Sequence, residues 1–272
     1  LFNRDKKPLE LTEAGQLYIE KIRQIMHLEN ELSQQLNDLT DLKTGQLRIG
    51  GSHYFNSYIL PPVIADFKKK WPGIDLELTE AGSYELLTML KDDLIDLTFN
   101  CTPDPHDKLR RIPGFQDTIL LAVSTRFPAN NCLTDAALTT SDILSRRYQD
   151  SDCPAVTMEA FADTPFILLS PGNNLYSRSQ SFFQEAGVNP PTAMQVSQLV
   201  TAYHLAQAGI GATLISDWMV TGKHPEMIYY KIASPLAGRI FDIVTPGKNY
   251  LSNAQQAFIS LFRKYYKTSF YP

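Results

Sequence analysis

The sequence predicts an α/β protein: one long helix followed by two successive strand–helix units. Three observations carry that expectation. Apolar residues recur at spacings of three and four from Ile22 to Leu42, which is a single stripe along a helix. Between Gln46 and Asn100, strand-like and helix-like runs alternate in the order βαβαβ with short connections. That order points to a parallel sheet flanked by helices. A second series of the same kind starts at Thr118. With 272 residues, the chain exceeds the usual size of one domain and suits two domains plus an appendage.

The elements follow in order. Pro8 stands outside the first helix, and the Thr12 hydroxyl is placed to accept from orphan amides of its first turn. The stripe Ile22, Ile25, Leu28, Leu32, Leu36, Leu39 and Leu42 is narrow, with Glu, Gln, Asn, Lys and Arg on the other faces. A helix of about thirty residues with such a stripe needs a partner helix, which makes it a dimerising element. The alternative is a surface helix packed on its own globule. Thr44-Gly45 ends it. "QLRIGG" is a short strand, and Ile59, Val63, Phe67 and Trp71 then fall four apart on a helix that Pro72-Gly73 breaks. "IDLELTEA" alternates as a half-buried strand. "SYELLTMLKDD" is helical and "LIDLTFN" is a strand again. In the second series, "TILLAVS", "TPFILLS", "TAMQVS" and "IGATLIS" are strands. "LTTSDILSRRYQ", "YSRSQSFFQEAG" and "QLVTAYHLAQAG" are helices, the last two closed by Gly187 and Gly209. "GRIFDIVTPG" is a strand, and "NAQQAFISLFRKYYK" is an amphipathic last helix.

Composition narrows the function. Net charge is −4, so nucleic-acid contact requires a local patch or residues outside this sequence. No apolar run is long enough to span a bilayer, and no signal peptide is visible. Cys101, Cys132 and Cys153 are an odd count without CxxC spacing, which fits a reducing cytoplasm. They read as small buried apolar residues, with a Cys132–Cys153 redox pair as the alternative. His27, His53, His106, His204 and His224 lack metal-ligand spacing, so no metal and no cofactor are expected. GxSxG, HExxH and Walker A motifs are absent, and no enzyme activity is expected. "GIGATL" lies between a helix and a strand, the reverse of a dinucleotide-binding turn.

The opening "LFNRDKKPLELTEAG" resembles the end of the winged helix-turn-helix in LysR-type transcriptional regulators. There, a Leu-Phe-x-Arg segment and a basic wing lead through Leu-Thr-x-x-Gly into a linker helix. Leu1, Phe2, Arg4, Lys7, Leu11, Thr12, Ala14 and Gly15 match. "LRIGGSHYFNSYILPPVIADFKKKWPGIDLELTEAG" is similar to the first strand–helix–strand of that family's effector-binding domain. "LLTMLKDDLIDLTF" is similar to the next pair, with Asp93 where the family often has Gly. "VTMEAFADTPFILLS" and "AYHLAQAGIGATLIS" fit the second subdomain. One departure is an insertion, residues 133–154, carrying Arg146, Arg147 and Cys153. It reads as a surface excursion or as a shaper of subunit packing.

The resemblance implies two Rossmann-like subdomains of periplasmic-binding-protein type II architecture after a linker helix. Its divisions are a wing remnant (1–11), the linker and dimerisation helix (12–44), effector-binding subdomain I (45–117 plus 235–272) and subdomain II (118–234). It implies a DNA-binding transcriptional regulator whose recognition helix lies upstream of Leu1. Arg4, Lys6 and Lys7 would contact the DNA backbone, and the chains would self-associate as a dimer or tetramer. A small anionic effector would bind between the subdomains. By position, Ser52, Tyr54, Phe55, Asn100, Cys101 and Thr102 line one wall, and Ser170, Asn173, Ser197 and Gln198 face them. Each serine reads equally as a helix N-cap, and Tyr54 and Phe55 as core aromatics. Arg178 is either a cleft charge or a surface residue. The rival reading, a solute-binding protein of a transport system, explains residues 46–272 but leaves the striped helix idle.

Overall fold

The computed structural model describes residues 1–3, 7–38, 44–102, 104, 106–247 and 250–266. Arg4, Lys6, Leu39 and Leu42 lie outside the described residues. Two short strands, β1 (Phe2–Asn3) and β2 (Glu10–Leu11), pair antiparallel and lead into α1 (Glu13–Asp38). The Thr12 hydroxyl accepts from the Gly15 amide at 3.1 Å, the cap anticipated from sequence. Along α1, Ile22 is half-buried, whereas Ile25, Leu28, Leu32 and Leu36 are 52%, 64%, 57% and 57% exposed. The apolar stripe is therefore open to a partner.

Next come β3 (Gly45–Gly51), α2 (Leu60–Lys70), β4 (Ile74–Glu80), α3 (Ser83–Lys91) and β5 (Thr98–Asn100). β3 and β4 are parallel, and Ile49 bridges to Leu97 in the same sense. A π-helical turn, Phe55–Ile59, feeds α2. Pro61 and Pro62 sit in the first turn of α2, where a missing N–H costs no helical hydrogen bond. Asp93, which stands where the resemblance calls for Gly, has φ of 57° just beyond α3. That left-handed position is normally glycine's.

The central element is β6 (Arg110–Ser124). Its residues 110–118 pair antiparallel with β12 (Gly238–Thr245), which in turn pairs with β5. Its residues 119–124 pair antiparallel with β10 (Thr213–Ser216) and β11 (Met227–Ile232). One strand thus serves two lobes, changing partners at Thr118–Ile119. The parallel pairing expected for the βαβαβ run holds for β3, β4 and the Ile49–Leu97 bridge, and the strands that join the lobes add antiparallel pairs to it. The strand also starts at Arg110 instead of Thr118. Pro113 and Gly114 mask its first half in sequence, yet Gly114 is required there. A Cβ at Gly114 would lie 2.8 Å from the Phe241 carbonyl oxygen, beside the register shift at Phe241/Asp242.

The second lobe holds α4 (Thr140–Leu144), β7 (Ala155–Val156), β8 (Phe166–Leu169), α5 (Asn174–Glu185), β9 (Thr192–Val196) and α6 (Leu199–Gln207). β8 and β9 are parallel, and β7 joins β11 in parallel. The insertion is not a loose excursion. Thr139 and Asp142 form a capping box on α4, and Ile143, Tyr148 and Cys153 are buried. The single helix expected over 138–149 is instead α4, a left-handed Arg146 (φ 62°) and a 3-10 turn at Arg147–Gln149. The last helix, α7 (Asn253–Tyr266), returns to the first lobe.

Phe55 sits at the centre of the first lobe's aromatic core. Its ring lies 4.7 Å from Phe99, 5.3 Å from Phe115 and 4.9 Å from Phe241. Phe55→Ala is expected to cost about 3–5 kcal/mol of stability, read from the midpoint of urea unfolding.

Candidate functional site

The site grows from the point where β6 leaves the first lobe. Asp117 on β6 and Arg239 on β12 face each other in register, 1% and 5% exposed. Arg239 Nε donates to Asp117 Oδ1 at 2.8 Å, and Nη2 donates to Oδ2. This two-pronged pair is the geometry that best offsets desolvation. Burial alone would lower the Arg239 pKa, but the Asp117 carboxylate outweighs it and holds the guanidinium charged. Arg239 also lies 4.9 Å over the Phe241 ring.

A hydroxyl relay runs from this pair to a second buried acid. The Tyr54 hydroxyl is 3.2 Å from Asp117 Oδ2 and 2.7 Å from Ser216 Oγ. Ser216 Oγ is in turn 3.2 Å from Asp217 Oδ1. Each hydroxyl has one proton. Either Ser216 donates to Tyr54 and Tyr54 to Asp117, or Tyr54 donates to Ser216 and Ser216 to Asp217. Asp217 Oδ1 also accepts from the Thr118 amide at 3.0 Å, and Oδ2 accepts from the Tyr148 hydroxyl. Burial, then the Asp117 charge, pushes the Asp217 pKa up to about 6 against these donors. Burial and Asp117 likewise raise Tyr54, which stays a neutral phenol.

A polar crossing joins the two lobes nearby. Asn100 Oδ1 accepts from the Thr102 amide at 2.7 Å, fixing the turn after β5. Asn174, the first residue of α5, donates to Thr102 Oγ1 at 2.8 Å and accepts from Cys101 Sγ at 3.4 Å. Arg178 Nε donates to Asn174 Oδ1 at 3.2 Å, and its Nη1 donates to the Leu236 carbonyl. Burial lowers the Arg178 pKa, with Arg239 adding to the effect. Burial also raises the Cys101 thiol, disfavouring the reactive thiolate.

The residues singled out in the sequence divide clearly. Cys101, Thr102 and Asn100 join α5 through Asn174, and Tyr54 joins the Asp117 network. Phe55 does not face a cleft: it is 1% exposed inside the aromatic core. Asn173 caps α5 by accepting from the Leu175 amide at 2.9 Å. Ser170 Oγ donates to the Val196 carbonyl at 3.3 Å. Ser52 Oγ lies 3.5 Å from the Phe55 amide, a weak cap. Ser197 and Gln198 are exposed at the start of α6. Sequence reasoning missed Asp117, Arg239, Ser216, Asp217 and Asn174. Asp117 and Arg239 are lone charges within apolar strand patterns, which was the available signal.

Two lobes threaded by shared strands, with a polar seam between them, define a two-lobed small-molecule-binding domain. The sequence profile of the LysR substrate binding domain matches residues 40–267. The chain is 26% identical over 275 residues to the uncharacterized HTH-type transcriptional regulator YcgK of Bacillus subtilis, covering 99% of this chain and 82% of that protein. The fold is similar to full-length BenM, with a TM-score of 0.64 and 19% identity, covering all of this chain and 84% of BenM. It is also similar to the effector-binding domain of QuiR in complex with shikimate, with a TM-score of 0.64 and 16% identity, covering 84% of this chain and 100% of that one. The chain belongs to the LysR family of transcriptional regulators. Among the described residues, no helix is long and apolar enough to cross a membrane.

The Asp217 environment sets a pH dependence. Its folded pKa of about 6 lies above the ordinary 3.8, so the folded state holds the proton more tightly than the unfolded chain. Its contribution to stability is therefore present below the ordinary value and lost as pH rises toward about 6. The melting temperature of Asp217→Asn minus that of wild type is expected to grow over this window and level off above it.

Proposed function

We propose that the seam between the lobes binds a small anionic effector and that its occupancy regulates transcription. One observation carries the reading: the charge balance around Arg178. Arg239 is matched by Asp117, and Asp217 is pushed toward its neutral form. The hydrogen bonds of Arg178 go to an amide oxygen and a backbone carbonyl, not to a carboxylate. A half-buried guanidinium that among the described residues has no carboxylate bonded to it, its nearest acid Asp117 being already paired with Arg239, favours an anion. The shikimate held by the similar QuiR domain is consistent with a carboxylate. In this reading Ser52, Asn100, Cys101, Thr102, Ser170, Asn173, Ser197 and Gln198 border the effector, and Tyr54 senses it through Asp117. The subdomains in this reading are 45–117 plus 235–272 and 118–234; β6 changes partners one residue further on, between Thr118 and Ile119.

The same reading makes the protein a cytoplasmic DNA-binding regulator that assembles through α1, with Lys7 beside the DNA backbone. Four exposed apolar residues on α1, each contributing about 1.5–3 kcal/mol when buried, suffice for helix pairing. Leu32→Glu with Leu36→Glu should lower the mass seen by light scattering while the melting temperature of the two-lobed domain stays unchanged. An unchanged mass would place the interface elsewhere.

The effector assignment is tested by calorimetric titration of carboxylate metabolites. Arg178→Gln should weaken the best carboxylate by about tenfold or more, the loss of a charge-assisted hydrogen bond. A tightest ligand that is cationic, or unchanged binding in a folded Arg178→Gln variant, overturns the reading.

A further inference from the structure

The insertion builds a pocket that does not overlap the Arg178 crossing. It is an open pocket of about 340 Å3 lined by Ile143, Leu144, Arg146, Val220 and Trp218, with Tyr148, Asp217 and Thr221 also contributing. Three features make it more than a surface dent. The Arg146 guanidinium lies 5.2 Å over the Trp218 ring, and among the described residues it has no carboxylate partner. The backbone at Arg146 is left-handed, at φ 62° and ψ 24°. This position closes α4, where Gly or Asn is usual; an arginine there accepts strain that aims its side chain over the indole. The acid in the wall, Asp217, already accepts from the Thr118 amide and the Tyr148 hydroxyl. The uncommitted charge of the pocket is thus the cation, and Ile143, Leu144 and Val220 give it an apolar side.

We propose that this pocket is a second small-molecule site that takes a monocarboxylate with a short apolar body. The carboxylate pairs with the Arg146 guanidinium, and the hydrocarbon packs on Ile143, Leu144 and Val220 beside the Trp218 indole. The location gives such a ligand a route to the rest of the molecule. Trp218 belongs to the second lobe but packs on Phe115 at 6.2 Å and Tyr266 at 5.3 Å, both of the first lobe. Tyr148 bonds to Asp217, one end of the relay that reaches Asp117.

Trp71 and Trp218 are the chain's two tryptophans, so Trp71→Phe leaves Trp218 as the only indole emitter. Sodium hexanoate titrated into this variant of the whole chain should change the emission saturably, with hexylamine and hexanol much weaker. Arg146→Asn removes the cation while tolerating the left-handed turn; it should weaken hexanoate by about tenfold or more. Arg146→Lys should restore part of the affinity. Four results would overturn the site: no saturable change, equal response to hexylamine or hexanol, unchanged affinity in Arg146→Asn, or a hexanoate response that follows Arg178→Gln instead of Arg146→Asn.

Discussion

The buried pair Asp117–Arg239 is the constraint on which the two-lobed arrangement turns. Two charges are taken out of water at the point where β6 stops pairing with β12 and begins pairing with β10 and β11. Replacing such a pair by apolar residues often costs no stability, so its value here is positional. It pins β12 against β6 in one register, and a slip of one residue would bury two unmatched charges and turn side chains to the wrong face. Gly114 and the shift at Phe241/Asp242 let the strands close around that pin.

Around this pin the electrostatics are economical. Two acids, Asp117 and Asp217, are linked by two hydroxyls that together can satisfy one acid or the other. Arg239 pairs with Asp117, and Asp217 carries the cost of burial and of the Asp117 charge. Arg178 brings charge to the seam with no carboxylate hydrogen-bonded to it among the described residues. Cys101 faces the same seam as a protonated thiol, so its position is one of packing and weak hydrogen bonding, not redox chemistry.

Much of the fold was legible because its signals are local. The α1 stripe, the Thr12 cap, the proline-led α2 and the glycine-closed α5 and α6 all follow from spacing and caps. β11 was missed because Tyr229 and Tyr230 pack on both faces and erase alternation. The first half of β6 was missed because Pro113 and Gly114 read as a turn when their partner strand, more than a hundred residues away, is not in view. The candidate site was less legible. Position along the sheet placed Tyr54, Cys101 and Thr102 near the seam, but not the pairing of Asp117 with Arg239, which exists only once β12 returns. Phe55 was misplaced because adjacent residues of a helix point to different faces, so Tyr54 reaches the seam and Phe55 the core.

The chain path has a consequence for how this protein comes into being. The first lobe begins with β3, but β12 and α7 complete it at the far end of the sequence, after the whole second lobe. During synthesis, β3, β4 and β5 emerge with their apolar faces long before their last partners exist. The second lobe, by contrast, is continuous from the end of β6 to β11 and can close on itself first. The nascent first lobe therefore waits with open apolar faces, and the Asp117–Arg239 lock cannot form until β12 has been made.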